Sequence, residues 1–131
     1  MPKHIRARDN ANCAIVHDDP GLPHVHFNLL RLQPGGSLEQ VLPAHESVLV
    51  VLSGTLDIIV DGERFAAVGK RADIWSGEAD SVYAPPGAKV RLENATAPTE
   101  VAVAGGLCDE AGFKPFRIAP EEVAMVDVGS P

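Results

Sequence analysis

Asp61-Gly62 stands between Leu56-Asp-Ile-Ile-Val60 and Arg64-Phe-Ala-Ala-Val68, and few dipeptides restrict a chain as much. A type I′ turn needs positive φ at both central residues, and its twist matches that of two antiparallel strands, so the pair predicts a two-residue β-hairpin. Just upstream, Val48-Leu-Val-Val-Leu52 is continuously apolar. Such a run is expected of a strand covered on both faces, one turned to a barrel interior and the other to a second layer or a partner. Ser53-Gly54 then turns the chain into the hairpin.

The same rhythm continues along the sequence, with apolar segments recurring roughly every eight to twelve residues between turn signals. His24 to Gln33 alternates and ends at Pro34-Gly-Gly-Ser37, where glycine permits positive φ. Shorter strands are expected at Ala72 to Trp75, Ser81 to Ala84, Lys89 to Glu93 and Glu100 to Ala104. About eight to ten strands close a barrel or fill two packed sheets. Pro120-Glu-Glu-Val123 is the one expected helical turn, with Pro at its first position and acids beside it. At 131 residues the chain predicts one all-β domain. The barrel is expected over residues 22–118, after an N-terminal segment (1–21) and before a C-terminal tail (119–131).

A formal net charge of −7 and a pI near 5.1 speak against a nucleic-acid surface, because a basic face would leave a still more acidic one elsewhere. No apolar run reaches the roughly 18 residues of a membrane span, and the basic N-terminus has no apolar segment after it. No membrane partner and a cytoplasmic location are expected. Cys13 and Cys108 lie far apart without a CxxC pair, so two reduced thiols are the expectation. Neither a Gly-x-Ser-x-Gly elbow nor a phosphate-cradling glycine loop is present.

The run His45-Glu-Ser-Val-Leu-Val-Val-Leu-Ser-Gly54, followed by Val60-Asp-Gly-Glu-Arg-Phe65, Gly69-Lys-Arg71, Ile74-Trp75 and Val82-Tyr-Ala-Pro-Pro-Gly87, resembles the N-terminal cupin half of bacterial 5-deoxy-glucuronate isomerase. Phe27-Asn-Leu-Leu-Arg-Leu-Gln-Pro-Gly35 and Phe116-Arg-Ile118 resemble it too, so the likeness runs from about residue 22 to 126. It implies a single cupin (double-stranded β-helix, or jelly-roll) barrel. It also implies kinship with an enzyme of myo-inositol catabolism that interconverts aldose and ketose sugar acids, built from two cupin domains. Partners implied are a sugar acid and either a second copy, giving a homodimer, or a second, metal-binding cupin domain.

In that family the metal-binding cluster lies in the second half. A metal-binding cupin supplies HxH and a Glu before its first strand-turn Gly, and a further His after Pro-x-Gly. Here those positions fall near Gln40 to Pro43, on Ser47 and on Val90. No metal or other cofactor is therefore expected in this chain, a divalent metal being the alternative.

Other residues carry candidate chemistry. His24-Val-His26 puts two imidazoles on one face of a strand, and with His45 they form the alternative metal set. The plainer alternative is an exposed edge-strand face, with Phe27 and Leu29 pointing inward. His45-Glu46 would form a proton relay only in a loop, because neighbours on a strand face opposite ways. Tyr83 offers a hydroxyl to a sugar-sized pocket, or simply packs. Arg71, beside Lys70, offers a fork to a uronic-acid carboxylate, or lies in a solvated turn. Trp75 suits sugar stacking, core or interface. His45, Glu46, Tyr83 and Arg71 are the candidate ligand-binding residues, with the catalytic group left open.

Overall fold

The computed structural model describes residues 4, 6, 12–126, 128 and 129. The start of the expected N-terminal segment and part of the tail thus lie outside the described residues. The strands β1 (Val25–Leu32), β2 (Leu38–Val41), β3 (His45–Ser53), β4 (Leu56–Val60), β5 (Glu63–Val68), β6 (Asp80–Ala84), β7 (Lys89–Glu93), β8 (Thr99–Leu107) and β9 (Phe116–Ile118) form two antiparallel sheets. One has the order β1-β8-β3-β6-β9, the other β2-β7-β4-β5. Pro120–Glu122 is a 3-10 turn, and Glu122 accepts a hydrogen bond from the Ala119 N–H at 3.0 Å. Among the described residues no helix is long and apolar enough to cross a membrane.

Period-two alternation sets the core. Leu30, Leu32, Leu49, Val51, Val101 and Val103 of the larger sheet meet Leu56, Ile58, Val60 and Leu92 of the smaller one, all nearly inaccessible to water. Asp61 and Gly62 have φ of 49° and 84°, and Val60 faces Glu63 across the turn, as the dipeptide predicts. The outer face of the smaller sheet carries an ionic ladder: Arg91 bridges Glu39 and Glu93, and Arg64 bridges Glu93 and Asp57. Arg117 on β9 makes a two-pronged pair with buried Asp80 at 2.8 and 2.6 Å and also donates to the carbonyls of Ala66 and Ala67.

Four expectations change. Ala72 to Trp75 is a turn, because the Asp73 carboxylate accepts hydrogen bonds from the Trp75 N–H and the Ser76 hydroxyl. Trp75 is consequently not core; it is 87% exposed. The inward face of β1 carries His26, Asn28, Leu30 and Leu32, whereas Phe27 and Leu29 occupy the half-covered outer face. In Val48 to Leu52 only Leu49 and Val51 are fully buried, and Val48, Val50 and Leu52 remain partly open on the outer face. Cys13 and Cys108 are not joined in a disulfide.

Candidate functional site

Reading the inward residues of β1, β8 and β3 across the register gives a graded interior. One layer holds His26, Gly105 and Ser47; the next holds Asn28, Val103 and Leu49; below it stand Leu30, Val101 and Val51. The polar end is completed by buried His45, two residues before Ser47 on the same face of β3. Gly105 has no side chain, and the His26 ring packs over it, so rings from the two flanking strands approach each other there, with His26 and His45 centroids 6.0 Å apart.

A third imidazole joins them. Val16 pairs with Phe27 along the free edge of β1 through hydrogen bonds of 2.9 and 3.1 Å, which sets His17 beside His26. The His17 ring lies 5.1 Å from His26 and 5.3 Å from His45, and the two Nδ1 atoms of His17 and His26 are 3.0 Å apart. One of those nitrogens must carry the proton in that contact. On the far side of its ring, His17 Nε2 lies 3.4 Å from Asp18 Oδ2. Burial, reinforced by the neighbouring His17 and His45, lowers the His26 pKa to about 4, so the ring is neutral near pH 7. His26 Nε2 and His45 Nδ1 are buried without a hydrogen-bond partner among the described residues, as is Gln40 Nε2 on β2. A buried polar atom left unpaired costs about 1–3 kcal/mol, so the two on the adjoining His26 and His45 rings are a burden on stability at this end of the barrel.

The remaining candidates lie elsewhere. His24 is exposed and precedes β1, and its carbonyl accepts the Leu107 N–H at 2.9 Å. Glu46 starts the opposite face of β3 from His45, so the two do not form a relay. It accepts a 2.5 Å hydrogen bond from the Tyr83 hydroxyl on the outer face of the sheet. Tyr83 is stacked on Phe116 at 5.0 Å and met edge-on by Phe113 at 6.3 Å. Burial, with help from Glu46, pushes its pKa up to about 12. Arg71 donates to the carbonyls of Gly77 and Val51. Val51 is six residues along β3 from His45, about 20 Å at strand rise, so Arg71 and His45 cannot hold one small ligand. Asn94 caps a left-handed turn and donates to Asp57 at 2.9 Å.

The cupin metal positions deduced from the sequence, Ser47 and Val90, are both buried and inward-facing, and Gln40 pairs with Val90 across the smaller sheet. Serine, valine and glutamine do not make the His and carboxylate set such a site needs. His17 and Asn28 are mouth residues that sequence reasoning missed. The available signal was the crowding of four of the five histidines between positions 17 and 45.

Comparison with known proteins places this geometry. The chain is 27% identical over 129 residues to a 5-deoxy-glucuronate isomerase of Geobacillus kaustophilus, matching 98% of this chain but 46% of that protein. It superimposes on an IolB-like protein of Salmonella typhimurium with a TM-score of 0.83 at 23% identity, over 94% of this chain and 47% of that one. A cupin protein of Bacteroides fragilis matches over 96% of this chain and 97% of its own, with a TM-score of 0.57 at 17% identity. The fold is thus that of a cupin barrel, and the chain spans about half the length of the first two relatives. The KduI/IolB family profile matches residues 1–131 throughout, and the chain belongs to the KduI/IolB family.

Proposed function

We propose that this chain is the sugar-binding cupin half of a 5-deoxy-glucuronate isomerase-type system, working beside a second, metal-binding cupin domain. The observation that carries this reading is the barrel mouth. His26, Asn28, His45 and Ser47 turn inward at one end of the larger sheet, where hydroxyl and carbonyl oxygens of a small polyhydroxylated ligand would find donors and acceptors. Isomerisation between adjacent carbons needs a base near the carbon-bound proton and an electrophile at the carbonyl. The residues at the usual cupin metal positions of this barrel are not suited to the second role, so the electrophile falls to the partner domain. The reading puts the protein in cytoplasmic myo-inositol catabolism.

The test is titration of the chain with 5-deoxy-glucuronate, followed by NMR of the histidine ring protons, together with an isomerisation assay. Binding that shifts the His26 and His45 signals and weakens about tenfold in His45→Ala is expected, with turnover only when a metal-binding cupin half is added. Failure to bind any sugar acid overturns the reading, and turnover by the chain alone overturns the division of labour.

A second reading, a dimerisation module, draws on the half-covered outer face of the larger sheet, where Phe27, Leu29, Val48, Val50 and Leu52 lie. Sedimentation of the chain checks it: a dimer weakened by Val50→Lys supports it, and a monomer throughout sinks it.

A further inference from the structure

We propose that His17, His26 and His45 form a binding site for a divalent cation of the zinc, cobalt or nickel class, distinct from the metal positions of the cupin pattern. Three imidazoles bound to one tetrahedral ion at about 2.0–2.1 Å have centroids roughly 3 Å from the metal, hence about 5 Å from each other. The three rings here are 5.1, 5.3 and 6.0 Å apart. The 3.0 Å between the Nδ1 atoms of His17 and His26 is close to the roughly 3.3 Å edge of such a tetrahedron.

Two further observations point to a ligand. His45 Nδ1 is unpartnered, in a residue only 4% exposed. Asp18 stands behind His17 on the side away from the cluster, the place of the carboxylate that commonly orients a metal-binding imidazole. Among the described residues no three His, Cys, Asp or Glu side chains are placed to hold a metal ion as they stand. The rings instead close on one another through the His17–His26 hydrogen bond. An ion would replace that bond, the shared proton moving to the opposite nitrogen of the His26 ring, and small ring rotations would complete the set. His17 is partly exposed, so the fourth coordination position opens toward solvent and accepts water or a ligand oxygen. Imidazole-only ligation favours these borderline ions over magnesium or calcium, which prefer oxygen.

The experiment is titration of the untagged full chain with Co²⁺, reading the visible absorption, then competition with Zn²⁺. One ion per chain with the intense bands of tetrahedral cobalt, displaced by zinc, is expected. His17→Ala and His45→Ala should each weaken binding at least tenfold, whereas His4→Ala and His24→Ala should leave it unchanged. His17 lies outside the core, so His17→Ala remains informative even where His45→Ala fails to fold. Weak octahedral spectra, or binding of the same strength in His17→Ala, overturn the site. No sugar acid or turnover enters this measurement, so its outcome is separate from that of the isomerase reading.

Discussion

Gly105 stands directly across the ladder from His26, and a Cβ at Gly105 would lie 3.1 Å from the His26 Cβ and 3.2 Å from the Glu46 carbonyl oxygen. Both contacts are too tight for a methyl group to enter without movement of β1 or β3. Gly105→Ala is therefore expected to destabilise the fold by about 1–2 kcal/mol, through overpacking. It should also push the His26 ring off its neighbours, visible as changed histidine ring shifts in NMR spectra. An unaltered melting temperature with unaltered shifts would show that the mouth tolerates a filled rung.

Asp80 depends on Arg117. The carboxylate is 1% exposed and receives both prongs of the guanidinium as well as the Gly69 N–H at 2.8 Å. Arg117→Ala strands a buried charge and should cost about 3–5 kcal/mol in urea unfolding. Asp80→Asn combined with Arg117→Met keeps an acceptor for Gly69 and removes both charges, so the double variant should lose less than Arg117→Ala alone.

Tyr83 is the sole tyrosine, so its ionisation can be followed by ultraviolet absorbance without overlap. Its pKa is raised to about 12 in the fold, against about 10 in an unfolded chain. A raised acid contributes stability that is whole below pH 10 and is lost as pH climbs from about 10 to about 12, because only the unfolded state ionises there. Unfolding monitored across that window should show the decline, and Glu46→Gln, which removes the adjacent negative charge, should lower the phenol midpoint. A midpoint near 10 in the native protein would contradict the half-buried Glu46 contact.

Two glycines with positive φ should respond differently to the same substitution. Gly69 has φ of 103°, and a Cβ there would run into the Gly54 carbonyl oxygen and the Val51 side chain; Gly62, at φ 84°, has open space around it. Gly62→Ala is expected to cost about 1 kcal/mol from backbone strain alone. Gly69→Ala adds a clash and should cost about 2–4 kcal/mol. Equal losses in thermal melts would mean that the Gly54–Gly69 approach relaxes freely.

The legible parts of the sequence were those governed by short-range rules. Asp61-Gly62 fixed the hairpin, and the runs Leu56 to Val60 and Lys89 to Glu93 became strands with those bounds. Leu38–Val41 and Phe116–Ile118 went unread, being only four and three residues long. The phase of β1 was ambiguous because apolar residues occupy both faces, Phe27 and Leu29 on one and Leu30 and Leu32 on the other. Packing against Leu49 and Val101, residues far along the chain, decides between them, and with it the inward turn of His26. The place of His17 was hidden for a related reason: one pairing, Val16 with Phe27, carries an otherwise unpatterned segment to the mouth.

The grading of the interior separates two kinds of selection. From His26 to Leu30 is four residues, about 13 Å of strand, and side chains that far apart contribute to stability almost independently. The lower half acts as a plug that holds the fold, while the rim is a blank on which ligands can be rewritten. Kin sharing this barrel could gain or shed imidazoles at the rim, and so change what they bind, without disturbing the plug that keeps them folded.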